Sequence, residues 1–352
     1  MARLLKRPRF GLMQVSVDPQ TAFEDGVLAE KIGVDTLWIP DHFIDVDGDR
    51  LEPWTVLSAI STRTRKIRLA SAVTDTQRCH PARTAHSVAS LDWLSKGRAI
   101  LGIGAGEAMN ILPYGLPWET PPERVQRLAE AIQVIRLLWN STRENPVNFQ
   151  GKFFNLTNAF LSQPPKQKPS PPIYVGALAS KHTMRIVGQY ADGWIAWFNT
   201  PDAFKKRWSI ITEAARSVGR NPEKLQASIS LMLAFPRTRH EHKTAMRFAK
   251  ITLLMERTIL ASLDYPLDLE TKHYQHLTAT VKEISQLDKK AQQIPDELVH
   301  KSMAIGDKDE AIEKIEALLK AGATEIAMAD ILSPKTTKRS LKIIGKIIRG
   351  YR

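Results

Sequence analysis

The chain has 352 residues, 43% of them hydrophobic and 25% charged, which leaves ample apolar material for a sizeable core. Its formal net charge is +13, but Lys335 to Arg352 carries seven Lys/Arg and no acid, so the rest is only mildly basic; no zinc-finger, RNP-type or Gly-Lys-Ser/Thr phosphate motif accompanies the charge, which argues against nucleic acid. The single Cys79 excludes an internal disulfide, no run reaches the roughly 18 apolar residues of a membrane span, and the basic start lacks the apolar stretch of a signal peptide, so a reducing cytoplasm is expected.

Arg9 to Val15 reads as a first strand, and Asp18-Pro19 as a cap followed by proline at the first position of a helix. Phe23, Val27, Leu28 and Ile32 recur at helical spacing, and Gly33 supplies the stop. Asp35 to Pro40 is a second short strand that runs directly into Asp41-His42. A short helix near Pro53 to Thr62 precedes a third strand, Ile67 to Val73, which ends in Thr74-Asp75-Thr76. Pro81 to Leu94 has helical period and leads to Ala99–Tyr114, where an apolar run meets glycines and then one carboxylate, Glu107. Such a run is the pattern of a buried parallel strand.

Thr120-Pro-Pro-Glu123 is a capping box, and the helix behind it presents Val125, Leu128, Ile132, Ile135 and Trp139 as one stripe. Asn148 to Phe154 resembles a small hairpin, and the proline-rich Gln163 to Pro172 a stiff linker. Pro172 to Ala177 and Gly193 to Phe198 are two further buried strands, separated by the helix Ser180 to Tyr190. A helix over Pro201 to Val218 leads to the seventh strand, Ala227 to Phe235. Arg237 to Lys301 is charged and helical in period without a strand signal, which places an insertion, a lid or an oligomer contact, over residues 237–304. Asp307-Lys-Asp-Glu310 is a second capping box; Ile312, Ile315, Leu318 and Leu319 follow as a stripe, and Glu325 to Ile331 is the eighth strand. The basic segment 335–352 reads as a helix with Ile343, Ile344, Ile347 and Ile348 on one side, which closes the fold or anchors it on a membrane surface. Eight strands alternating with helices predict an α/β fold, one (β/α)8 TIM barrel spanning residues 1–352.

Barrel chemistry sits at strand C-termini. That rule selects Asp41 and His42, Ser71 to Thr76, Gly104 to Asn110, Gly176 to Ser180, and Trp197 to Asn199. His42 can exchange a proton near neutral pH or merely cap a loop. Glu107 reads either as an acid at a water-poor mouth or as a charge at a helix start. Gly104-Ala-Gly106 lacks the third glycine of a dinucleotide fingerprint. Small residues from Gly176 to Ser180 suit an anion such as phosphate at a helix start, or form a tight turn. Trp194 and Trp197 are core, or one of them walls a ring-binding pocket. Cys79 lies between Arg78 and His80, with no base-and-orienter arrangement, and nothing here calls for a metal.

With Asp41-His42-Phe43, Gly104-Ala-Gly-Glu-Ala-Met-Asn110, Tyr190-Ala-Asp-Gly-Trp-Ile195, Gly151-Lys-Phe-Phe154 and Ala321-Gly-Ala-Thr324, the sequence resembles the bacterial-luciferase-like superfamily of flavin and deazaflavin oxidoreductases over most of Phe10 to Ile331. Asp41-His42 combined with Gly-Glu-Ala-x-Asn is similar to the coenzyme F420-dependent branch, which includes glucose-6-phosphate dehydrogenases, mycobacterial ketoreductases and methylenetetrahydromethanopterin reductases. Pro113-Tyr-Gly-Leu-Pro117 and Glu52-Pro-Trp54 lean toward the ketoreductases.

The resemblance implies coenzyme F420, with FMN as the alternative, and hydride transfer between the deazaflavin C5 and a small uncharged carbonyl, alcohol or imine-like carbon. It implies that His42 exchanges the substrate proton, that Asp41 contacts the ring or substrate, and that Glu107 manages the N1 proton. Asn110 helps to bind the cofactor, Ser71-Ala72 supplies a non-prolyl cis peptide behind the ring, and Gly176 and Ala177 receive the phosphate. Thr74, Gly104 and Gly106 complete the implied cofactor-binding set. The sugar-phosphate enzymes carry a tryptophan four residues after the histidine and a lysine beyond strand six. Here Val46 and Thr200, or a near neighbour, hold those places, against a sugar phosphate. A homodimer is expected from the same resemblance, and a non-catalytic cofactor-binding or assembly protein is the alternative of another class.

Overall fold

The computed structural model describes residues 7–14, 21–44, 51–265, 276–332 and 336–352. Among these, β1 (Arg9–Met13), β2 (Thr36–Ile39), β3 (Arg68–Ser71), β4 (Ala99–Gly104), β5 (Ile173–Gly176), β6 (Gly193–Ala196), β7 (Gln226–Ala234) and β8 (Glu325–Asp330) each pair in parallel with the next. The ring closes because β8 pairs with both β7 and β1, with Glu325 opposite Arg9 and Ser228. Helices α1 (Ala22–Ile32), α2 (Pro53–Arg63), α3 (Pro81–Leu94), α4 (Pro121–Trp139), α5 (Lys181–Tyr190) and α6 (Pro201–Ser217) alternate with the strands. The chain is therefore a closed (β/α)8 barrel, as the strand count predicts.

Strand alternation builds two apolar layers. Phe10, Leu37, Leu69, Leu101 and Ile326 point outward against the helices, while Trp38, Ala70, Ile100, Tyr174 and Ala327 fill the interior. Neighbouring helices approach closely where small residues permit it. A Cβ on Gly26 would come within 2.6 Å of Ile60, which is why the fully buried face of α1 is Ala22, Asp25, Gly26 and Ala29. Phe23, Leu28 and Ile32 only flank that face, so the expected stripe is offset.

The expected hairpin pairs Val147–Gln150 with Asn155–Ala159, and the linker contains a cis Lys168-Pro169 bond. Glu123 accepts from the Thr120 backbone N–H at 3.2 Å and from its hydroxyl at 2.8 Å, and Asp307 accepts from the amides of Asp309 and Glu310. Asp18-Pro19 and Val15 lie outside the described residues; the N-cap position of α1 is Thr21.

Beyond β7 come α7 (Arg239–Met255), α8 (Arg257–Ser262), α9 (Val281–Ala291) and α10 (Asp296–Ser302), then a short strand, Ala304–Ile305, that pairs with the C-terminal end of β7. Ala245, Ala249 and Leu253 of α7 join the same apolar cluster as the barrel interior, so this segment covers the strand C-termini. After α11 (Lys308–Lys320) and β8, α12 (Thr337–Gly350) buries Leu341, Ile344, Ile347 and Ile348. Ile343 is only partly buried. Its apolar face is consumed by packing onto α1, which closes the fold. No helix among the described residues is long and apolar enough to cross a membrane.

Candidate active site

A cleft opens at the C-terminal end of the strands, with about 1470 Å³ of empty space including its open mouth. Four loops chosen by position in the sequence meet there: Asp41 and His42 after β2, Gly104 to Glu107 with Asn110 after β4, Gly176 to Ser180 after β5, and Trp197 after β6. Ala72 and Val73 form part of the wall, and Phe248, Ile251, Thr252, Met255 and Glu256 contribute from α7 and its end.

His42 Nε2 lies 3.7 Å from Glu107 Oε2, the two side chains 11% and 27% exposed. Each neighbour of His42 is held in place. The Asp41 carboxylate accepts from Thr74 Oγ1 at 2.7 Å and from Arg78 at 3.0 Å, and Arg78 also donates to the Asp41 backbone carbonyl at 2.7 Å. On the other side, Asn110 Oδ1 accepts from the amides of Phe43 at 2.7 Å and Ile44 at 3.2 Å. The backbone before His42 is thus tied to the segment after β3, and the backbone after it to the turn that follows β4.

Arg78 spans two buried carboxylates, Asp41 and Asp75, and its guanidinium lies 4.7 Å from the Phe43 ring centroid. Burial pushes the Asp41 carboxyl above its ordinary range, and the Arg78 charge offsets that shift only in part. Burial lowers the pKa of Arg78, but Asp75 and Asp41 outweigh it, so the guanidinium stays firmly charged.

The floor is built for close approach. A Cβ on Gly104 would meet Val73 Cγ2 at 2.7 Å, and one on Gly176 would meet the same atom at 3.0 Å, so the ends of β4 and β5 are glycine because Val73 lies across them. The non-prolyl cis bond is Ala72-Val73 and not Ser71-Ala72, one residue later than the resemblance placed it. β3 ends at Ser71, and Thr74–Asp75 rejoins β4 as a separate two-residue bridge. Ser71 is fully buried with its hydroxyl on the backbone of Gly102, and Ser71 and Thr74 do not line the cleft.

Gly106 has φ +84°, a left-handed conformation that a side chain resists, and it brings Glu107 round to the cleft. Ala177, Leu178 and Ala179 lead into α5, whose N-cap Ser180 accepts from the Thr183 amide at 3.3 Å. Gly176 to Ser180 and Thr183 therefore bring the N-terminal turn of α5 to the cleft wall, where a helix start favours an anion.

The two tryptophans separate. Trp194 is fully buried, 5.0 Å from the Phe204 ring in a stacked arrangement, with its Nε1 on the Ala177 carbonyl, whereas Trp197 lines the cleft. Cys79 is not an activated thiol, because burial raises its pKa. Sequence reasoning missed Arg78 as the clamp on Asp41; the alternation Asp75-x-x-Arg78 was its only local signal. It also missed Glu256, which stands just past α7, inside the insertion, with no motif of its own.

Residues 7–325 match the family model described as luciferase-like monooxygenase. The chain is 35% identical over 243 residues to the phthiodiolone/phenolphthiodiolone dimycocerosates ketoreductase of Mycobacterium sp. (strain JLS), an alignment covering 63% of this chain and 62% of that protein. It is 29% identical over 317 residues to the F420-dependent glucose-6-phosphate dehydrogenase of Amycolatopsis mediterranei (strain U-32), covering 88% and 87% of the two chains. Among solved structures, an F420-dependent secondary alcohol dehydrogenase in complex with an F420-acetone adduct has a TM-score of 0.82 at 24% identity, over 99% of this chain and 100% of that one, a likeness of fold. The family match spans every strand that builds the cleft as far as the start of β8, and the chain belongs to the luciferase-like monooxygenase family.

Proposed function

We propose that the protein is a coenzyme F420-dependent oxidoreductase that passes a hydride between the deazaflavin and a small uncharged organic substrate, with His42 as the proton partner. The observation that carries the reading is His42 and Glu107 facing each other at 3.7 Å in a glycine-floored cleft that the start of α5 also enters. F420-dependent relatives support the choice of cofactor over FMN.

The residues fit such a group. Gly104, Gly176, Val73 and Ala177 offer a flat, side-chain-poor face for a fused ring, and the α5 start with Thr183 offers amides and a hydroxyl to a phosphate. When bound, the deazaflavin supplies the carbon that gives or takes hydride. The remaining tasks fall to the chain. His42 gives or takes the substrate proton; Asp41, locked by Thr74 and Arg78, and Asn110 fix its backbone on either side. Glu107, facing His42 across the cleft, would hold a proton at the edge of a ring bound there. Ile195, Trp197, Phe248 and Met255 keep the reacting space poor in water.

Titration of the purified protein with F420 and with FMN, followed by absorbance and fluorescence, tests the cofactor; a ketone and alcohol panel then tests turnover. F420 binding with ketone-dependent F420H2 oxidation is expected, and tight FMN binding without F420 affinity overturns the reading. Glu107→Gln lowers kcat by about 10²-fold, the scale of losing one charge-stabilising group, with a smaller change in F420 affinity. A homodimer in the cytoplasm completes the proposal; sedimentation of the F420-loaded protein as a monomer contradicts the oligomeric part.

A further inference from the structure

One carboxyl in the cleft has no task in the reading above. Glu256 follows the last residue of α7, lines the cleft, and is only 2% exposed. Its Oε1 has no hydrogen-bond partner among the described residues. Arg207 of α6 is close enough to act on Glu256 through its charge, but its hydrogen bond goes to Asn199 Oδ1, and Asn199 donates in turn to the Trp197 carbonyl at 3.0 Å. A buried polar atom left without a partner costs about 1–3 kcal/mol, so it marks a place where a ligand atom belongs.

The rest of the wall narrows what that ligand is. Among the described residues, the ionisable side chains lining the cleft are Asp41, His42, Asp75, Glu107 and Glu256, none of them Lys or Arg. With the start of α5 given to the cofactor phosphate, the described lining around Trp197 and the end of α7 carries no Lys or Arg side chain to pair with an anionic substrate. Resting on the F420-dependent reading, we propose that Glu256 determines specificity by hydrogen-bonding an oxygen of an uncharged alcohol or carbonyl substrate held between α7 and Trp197.

The electrostatics agree with the geometry. Burial drives the Glu256 carboxyl from 4.5 up to about 8, against a smaller downward pull from Arg207, so at neutral pH it is a donor as well as an acceptor. Between about pH 4.5 and 8 the folded protein keeps a proton that the unfolded chain has lost, so this group's contribution to stability falls as pH rises through that window. Arg207 is the charged neighbour that acts on it, and Thr252 and Met255 flank it from its own helix.

The test compares wild type, Glu256→Gln and Glu256→Leu, each loaded with F420, on neutral secondary alcohols and ketones and on a hexose phosphate. Expected is a preference of wild type for the neutral substrates, near-wild-type KM in Glu256→Gln, and about a tenfold loss of kcat/KM in Glu256→Leu carried by KM. Independently of turnover, difference infrared spectra should show a protonated-carboxyl C=O band that shifts when a neutral alcohol binds and is missing in Glu256→Gln. The melting temperature of Glu256→Gln should also fall less than that of wild type between pH 5 and pH 8. If Glu256→Leu folds and keeps wild-type KM, if the infrared band does not respond, or if the hexose phosphate is the better substrate, the inference is overturned. Absence of F420 binding by wild type would instead overturn the cofactor reading beneath it.

Discussion

His42→Asn lowers kcat by about 10²- to 10⁴-fold, the contribution of a positioned acid–base side chain, while F420 affinity stays close to that of the parent. Asparagine keeps polarity and much of the volume but cannot titrate near neutral pH. The site is arranged so that this exchange isolates proton transfer: Asp41 is pinned by Thr74 and Arg78, and the amides after His42 are pinned by Asn110, so the loop has no reason to move. The pH profile of kcat should lose the limb that belongs to the imidazole. Steady-state kinetics with a ketone and F420H2 over a pH series measure both, and a kcat within threefold of wild type would place the proton partner elsewhere.

Glu325→Ala destabilises the protein by about 3–5 kcal/mol, the cost of removing one partner from a buried ion pair. Glu325 is 1% exposed at the start of β8. Its carboxylate accepts from Trp38 Nε1 at 2.7 Å, Thr36 Oγ1 at 2.9 Å, Arg68 at 2.6 Å and Ser228 Oγ at 3.1 Å. These partners come from β2, β3 and β7, so one side chain ties together four strands of the ring at the end opposite the cleft. Loss of the carboxylate leaves the Trp38 indole N–H without its acceptor and the Arg68 guanidinium with only the Thr36 hydroxyl and no counter-charge inside the barrel. Urea unfolding followed by tryptophan fluorescence gives the difference directly; Glu325→Gln, which keeps an acceptor, should lose less. Equal stability of Glu325→Ala and wild type would show that the network contributes nothing net.

Much of the site could be read from the chain because barrel function is positional. A residue just past an apolar strand is at the working face whatever its identity, and that rule alone collected His42, Glu107, Gly104, Gly176 and Trp197 into what proves to be one cleft. It over-collected where a backbone irregularity interrupts the strand. Ser71 and Thr74 qualify by position, but the chain turns at Ala72-Val73, leaving Ser71 on Gly102 and Thr74 on Asp41. It under-collected where a contributor comes from no barrel strand, as with Glu256. Residue burial was harder to read than residue position: Trp194 and Trp197 lie three apart near one strand end, and one packs on Phe204 while the other faces the cleft.

By itself the sequence determined the barrel, because eight apolar runs alternating with amphipathic helices, capped by Thr120, Asp307 and the Gly33 stop, carry local signals that survive without knowledge of neighbours. It also determined the glycine-acid loop and the Asp41-His42 step that mark the working face. Only the tertiary structure decided that His42 meets Glu107, that Arg78 locks Asp41, that Glu325 cross-ties the barrel floor and that Glu256 reaches the cleft from α7. Each of these pairs residues far apart in the chain, or on different sides of a turn. Their contacts depend on strand register, on the path after β3 and on how the insertion seats, none of which a local pattern of polarity encodes.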